Sequence, residues 1–305
     1  MKPTKKRTSK DYGRLFLNGF LMGSADIVPG VSGGTMAFIL GIYEELVHSI
    51  SQINKKLIQN LLNLKIKEIF KTFPWPFLLA LGSGIITAIA LLSHTLEWLL
   101  ENQPIYVWSF FLGLVIASIP TITNGIKVWT ISKIILFIIG TLVAYILIGL
   151  TPATTPNSPF FIFFSGMLAS MAMILPGISG SFILVLLGKY KEVLHAVNAR
   201  DIVTLSLVGT GATVGLVSFS KILDYVFKKY HDYAIAVLAG FVLGAIRKIW
   251  PYKNMVPVMV DNQTVFNEIN VLPPINMTLL ISLALIGCGA LLISIINKAA
   301  SKKLP

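Results

Sequence analysis

Apolar residues in this chain gather into long blocks rather than alternating with polar ones. Six blocks, at about 77–96, 105–123, 131–150, 202–220, 233–250 and 275–296, each run for roughly 20 largely apolar residues, the length that carries a helix across a bilayer core. Two further blocks, 15–49 and 161–196, are too long for one crossing and are interrupted centrally at Pro29-Gly30 and Pro176-Gly177. Each of their arms is about 15 residues, roughly 22 Å of helix, short of the ~30 Å hydrocarbon core. They predict re-entrant hairpins, which are tolerated at membrane depth only where protein or a wet cavity surrounds the broken backbone. Residues 51–70 place Ile53, Leu57, Leu61 and Leu64 on one helical face with lysines elsewhere, predicting an interfacial amphipathic helix.

The two interrupted blocks match each other without a gap. Residues 19–50 align with 166–197 at an offset of 147, with 13 identities in 32 positions that include Ile27/Ile174, Pro29/Pro176, Gly30/Gly177, Ser32/Ser179, Gly33/Gly180, Gly41/Gly188 and Tyr43/Tyr190. A second block follows at offset 127, pairing Gly82 with Gly209, Gly84 with Gly211 and Gly113 with Gly240. The chain therefore divides into a tail (1–14), a first repeat (15–150, with hairpin 15–49 and interfacial helix 51–72), a linker (151–160), a second repeat (161–296, with hairpin 161–196) and a second tail (297–305). A hairpin plus three spans is an odd number of crossings, so the second repeat starts on the opposite face. The expected fold is an all-α polytopic membrane protein of two inverted repeats, an architecture of secondary transporters that bind substrate where broken helices converge.

Charge decides how the hairpins are threaded. If both are re-entrant, 19 of the 25 Lys+Arg fall on one face, leaving Lys189, Lys191, Arg200, Arg247, Lys248 and Lys253 on the other. Counted as single crossings, the hairpins split the cations 12 against 13. The positive-inside bias selects the first threading, with both termini cytoplasmic and the linker outside. Charged residues are only 12% of the chain and mean hydropathy is +0.78, about half the charge of a typical soluble domain. The net charge of +12 thus reads as orientation and attraction to anionic lipid headgroups rather than nucleic-acid binding. Cys288 is alone, His48, His94, His195 and His231 are scattered, and neither HExxH nor CxxC occurs, so no metal, disulfide or cofactor is expected. The basic KKRTSK near the start precedes no cleavage pattern, and the first apolar block is expected to be retained.

The breaks carry the candidate chemistry. In ADIVPGVSGGT (25–35), Pro29 ends the first arm and Ser32 caps the second, presenting the amides of Gly33, Gly34 and Thr35. In AMILPGISGSF (172–182), Ser179 caps and Gly180 and Ser181 follow. Free amides at a helix start suit a phosphate or carboxylate; the alternative is a break kept for close packing. Asp26, opposite Met173 in the repeat, reads either as a proton- or cation-coupling carboxylate or as a hydrogen-bonded structural one. Arg247 either grips an anion bidentately or snorkels to the interface. Lys189, Lys191 and Arg200 read as outer-face anion attractors or as plain loop charges. Glu45 and Glu192 are expected to pair with a cation or to sit at the wet mouth of each hairpin, with His48 and His195 interfacial.

With MGSADIVPGVSGGT (22–35), LGIYE (40–44), MILPGISGSFILVLLGKY (173–190) and GAIRKIWP (244–251), the chain resembles the PopT-type polyprenyl-phosphate transporters, a bacterial membrane family formerly described as a domain of unknown function. The likeness runs over roughly 12–296. It implies a flippase returning undecaprenyl phosphate from the outer to the inner leaflet of the bacterial plasma membrane, with Asp26, Pro29, Gly30, Ser32, Gly33, Gly34, Pro176, Gly177, Ser179, Gly180 and Arg247 at the motif positions. Asn18 departs from the lysine expected there in many members, so that lysine's role is absent here or falls to Arg14. The other readings are a transporter or channel for a small anion, and an integral-membrane lipid-phosphate enzyme. Against the enzyme stands the lack of an Asp-rich magnesium motif or a His-Arg-Ser cluster.

Overall fold

The computed structural model describes residues 7–28, 31–153, 155–156, 158–260 and 263–301. Pro29 and Gly30, with most of the basic start and the last four residues, lie outside the described residues. The first hairpin comprises α1 (Ser9–Ile27), α2 (Gly33–Ile39) and α3 (Tyr43–Ser51). Helices α4 (Lys55–Leu62) and α5 (Ile66–Thr72) follow, then α6 (Trp75–Asn102), α7 (Pro104–Thr123) and α8 (Ile131–Ile148). The second hairpin is α9 (Pro159–Ile174), α10 (Gly180–Leu186) and α11 (Tyr190–Ala199). It leads to α12 (Ile202–Gly244), α13 (Ile246–Ile249), an antiparallel pair β1 (Lys253–Val260) and β2 (Gln263–Asn270), and α14 (Met277–Ser301). Among the described residues five helical stretches are long and apolar enough to cross a membrane, and their exposed side chains, such as Ile86, Leu91, Ile138, Leu142, Ile146 and Leu291, are those of a lipid-facing surface. The chain is a multi-pass, almost wholly helical membrane protein.

Each hairpin differs from two equal arms in the same way. The entering helices are 19 and 16 residues. The returning arms are each split into a seven-residue helix and a longer one. The split falls at Gly41 (φ +70) and Gly188 (φ +66), where a left-handed residue closes the short helix: Ile42 N donates to Ala37 O and Lys189 N to Leu184 O.

Two expected boundaries are corrected. The stretch 221–232 between the two expected spans is helical, and Leu223 and Phe227 within it are buried. As a result 202–220 and 233–250 join in one 43-residue element that turns at Tyr230 (φ −134, ψ 45). At about 65 Å it is about twice as long as a bilayer core is thick. The amphipathic stretch 51–72 is two short helices rather than one, parted at Leu64, whose φ is +51. Leu61 and Leu64 stay exposed there, at 59% and 79%. The β-hairpin was not expected at all.

Helices pack backbone to backbone through reciprocal glycines. Gly19 lies against the Leu81 carbonyl and Gly84 against that of Phe16; 147 and 127 residues further on, Gly166 lies against Val208 and Gly211 against Phe163. A Cβ at any of the four would sit 2.0–2.3 Å from the carbonyl oxygen, too close for any side chain, as at the small-residue seams that join membrane helices. The third helices are exchanged between the halves. On α8, Gly140 meets Val237 of α12, whose Gly240 meets Phe137; on α14, Gly289 meets Phe110 of α7, whose Gly113 meets Ile286.

Candidate functional site

The two breaks have the same local construction. Ser32 caps α2 and accepts from Thr35 N at 3.2 Å; Ser179 caps α10 and accepts from Phe182 N at 3.2 Å. Their surroundings differ completely. At the first break Ser32 and Thr35 are buried, Gly34 is pressed against the carbonyls of Met173 and Ile174, and the Thr35 hydroxyl accepts from Gly177 N at 2.7 Å. The buried Tyr43 hydroxyl closes the contact by donating to Ile174 O at 3.0 Å. At the second break no residue of α10 is buried, and the Ser179 and Ser181 hydroxyls lie 3.2 Å apart on its open side.

That open side is a cavity of about 510 Å³ whose wall includes Asp26, Ser179, Ser181, Tyr190, Arg247 and Lys248. The structure thus brings Asp26, Ser179, Ser181 and Arg247 together and leaves Ser32, Gly33, Gly34 and Thr35 in the sealed packing. Gly180 lies against the Ala169 carbonyl, and Gly177 takes φ +91 beside Phe241 and Ala245. Pro176 beside Gly177 is buried. A seven-residue α10 is only about 10 Å of helix, so its dipole is small beside the hydroxyls and charged side chains of this cavity.

Arg247 is aimed rather than loose. Its Nη1 donates to Tyr145 O at 2.8 Å, its guanidinium stacks 4.4 Å from the Tyr145 ring, and it crosses Gly149, where a Cβ would be 2.2 Å from Nη1. Asp26 accepts from Gly33 N. Its carboxylate therefore faces the start of α2, where the helix dipole favours it, and not only the end of its own helix, where the dipole does not.

The other cations are distributed by partner. Lys189 is buried and donates to Glu192 at 2.9 Å and to Thr155 O at 3.2 Å, while Lys191 and Arg200 are exposed. Arg7 pairs with Glu45 and His48 with Asp224 (2.9 Å), both in the wall of a second cavity of about 780 Å³ that also includes Glu44 and Lys228. His195 is exposed. Asn18 is buried and Arg14 exposed, and neither lines either cavity.

Three polar residues of the open cavity were missed in the sequence: Lys248, Glu268 and Asn270. The last two arrive on the β-hairpin. Its signal was present, as two eight-residue runs carrying Val256, Val258, Val260, Val265, Phe266 and Ile269 on either side of Asp261-Asn262. Glu268 Oε2 receives both Lys248 Nζ and Lys253 Nζ at 2.8 Å. Burial alone would raise the Glu268 pKa, but these lysines hold it below the ordinary carboxylate value; burial lowers that of Lys253, partly offset by Glu268. No group of three metal-ligating side chains occurs among the described residues.

Residues 22–267 match the family described as undecaprenyl phosphate translocase-like. A Vibrio cholerae protein named polyprenyl-phosphate transporter is 42% identical over 243 residues, covering 80% of this chain and 79% of that one. A Staphylococcus aureus protein of the same name is 33% identical, covering 77% and 85% respectively. Both are named for transport rather than catalysis. No solved structure matches.

Proposed function

Because the chain belongs to the undecaprenyl phosphate translocase-like family, we propose that it is a polyprenyl-phosphate transporter that returns undecaprenyl phosphate from the outer to the inner leaflet of the bacterial plasma membrane. In this reading both termini are cytoplasmic and the two repeats are inverted. The cavity at the second break faces outward and takes the phosphate headgroup on the Ser179 and Ser181 hydroxyls and the Arg247 guanidinium, while the isoprenoid tail stays in lipid. The observation that carries the reading is the gathering of those three groups in one cavity, since a desolvated phosphate needs several charge-assisted donors.

The first break is the same site in its closed condition. Gly34, Thr35 and Tyr43 hold it against the end of α9, whereas their counterparts Ser181, Phe182 and Tyr190 line open space. Alternating access exchanges these conditions, so that Ser32, Gly33, Gly34 and Thr35 meet the headgroup on the cytoplasmic side. Asp26, in the open cavity and bonded to Gly33, is the coupling carboxylate. It carries a proton, or pairs with another coupling cation, between the two breaks.

The test is leaflet exchange of undecaprenyl phosphate in liposomes holding the purified protein, with and without a proton gradient. Exchange that requires the protein and falls on substituting Ser179 and Ser181 supports the reading. Absence of exchange under any gradient overturns it; uptake of inorganic phosphate by the same liposomes would then identify a small-anion transporter.

A further inference from the structure

The open cavity holds two adjacent cations in unlike situations. Arg247 is fixed by Tyr145 and lines the cavity, and no carboxylate is paired with it among the described contacts. Lys248, which lines the same cavity, is paired with Glu268, and that one carboxylate oxygen is shared with Lys253, 2.8 Å from each ammonium. Lys253 is not in the cavity wall. It donates to Lys248 O at 2.6 Å and sits 4.7 Å from the Trp108 ring. Glu268 can therefore give up Lys248 and still keep a cation.

We propose that Lys248 and Glu268 together make this cavity selective for lipid phosphomonoesters over the phosphodiesters of ordinary membrane lipids. The inference rests on the reading of the cavity as a headgroup site. A monoester carries about −1.5 to −2 at neutral pH, its second pKa being near 6, whereas a diester carries a single charge. One charge is matched by Arg247 alone. It gains too little to displace Glu268 from Lys248, and it stays beside a carboxylate that repels it. The second charge of a monoester takes Lys248 in place of Glu268, which remains on Lys253. Selectivity comes from a resident anion that only a more highly charged one replaces.

Glu268 is only one of several groups that dock the β-hairpin. Asn270 Nδ2 donates to Arg247 O at 2.9 Å, Trp250 Nε1 to Val271 O at 2.9 Å, and Val271 N to Tyr252 O at 3.0 Å. Substituting Glu268 thus leaves the cavity wall in place.

The experiment measures binding of farnesyl phosphate and of its methyl diester to the purified full chain. The wild type is expected to prefer the monoester. Lys248→Gln is expected to lose about tenfold in monoester affinity with little change for the diester, as for one charge-assisted hydrogen bond, and Lys248→Arg to retain the preference. Glu268→Gln is expected to strengthen diester binding and narrow the ratio about tenfold. An unchanged ratio in both Lys248→Gln and Glu268→Gln overturns the proposal while leaving the headgroup site standing. A wild type that binds neither compound overturns the headgroup site itself, and the proposal with it.

Discussion

The hydroxyl of Tyr43 donates to the main-chain carbonyl of Ile174 at 3.0 Å, tying the first hairpin to the end of α9. The repeat counterparts of these two residues, Tyr190 and Ile27, both line the open cavity. One bond is made and its equivalent is not. We expect Tyr43→Phe to shift the protein toward the state in which the first break is open, by about 1 kcal/mol or some fivefold in population. The ring remains packed against Phe38 and Phe227, so folding is retained. Thiol labelling of Ser32→Cys in a Cys288→Ser background reads the change: faster labelling with Tyr43→Phe is expected, and equal rates would mean that the bond does not hold the closed side.

At the second break the hydroxyls are the accessible donors. Ser181→Ala is expected to weaken phosphate-lipid binding by about tenfold or more, the worth of one hydrogen bond to a charged group. The residue is exposed and sits in the first turn of α10, so the melting temperature should not move. Equal lipid affinity in a variant of unchanged melting temperature would remove this hydroxyl from the site.

Asp26 is bonded to Gly33 of the sealed break yet reaches the open cavity. Asp26→Asn keeps an acceptor for that amide and removes the titratable group. Transport by the variant should lose its pH dependence, measured as exchange rate across a pH series in liposomes. A parental pH profile would assign Asp26 a structural role only.

Glu268 predicts acid sensitivity confined to the β-hairpin. Its pKa is depressed in the fold, so the proton is bound less tightly by the folded chain than by the unfolded one. The ion pairs with Lys248 and Lys253 therefore stabilise the docked hairpin fully above the ordinary value of 4.5 and are lost as the pH falls below it through the depressed value. Hydrogen exchange of residues 253–260 and 263–270 should quicken below about pH 4.5 relative to that of α6, and Glu268→Gln should abolish this difference.

Features governed by short-range rules were legible in the sequence. Ser32 and Ser179 cap their helices as their positions after Pro-Gly imply, since a cap is decided within four residues. The matched glycines at 84 and 211 make matched contacts, because spacing within a repeat carries packing with it. Which break is open was not legible: both have the same local pattern, and the difference lies in whether Tyr43 or Tyr190 finds a carbonyl on another helix. Lys248 was passed over beside Arg247 because its significance depends on Glu268, 20 residues away on a β-hairpin. The helix through 221–229 was not legible either, because Lys221, Asp224, Lys228 and Lys229 interrupt the apolar run while Leu223 and Phe227 lie on a buried face.

The exchange of third helices sets a condition on biogenesis. The seam of α8 is Gly140, and its partner Val237 is on α12, so that seam waits for about a hundred further residues to be made. At about 5–20 residues per second that is some 5–20 s of synthesis. During that time α7 and α8 stand in the membrane with their glycine faces against lipid. The first half cannot mature before the second, and a truncated nascent chain would present the quality-control machinery with two unpaired seams rather than a finished half.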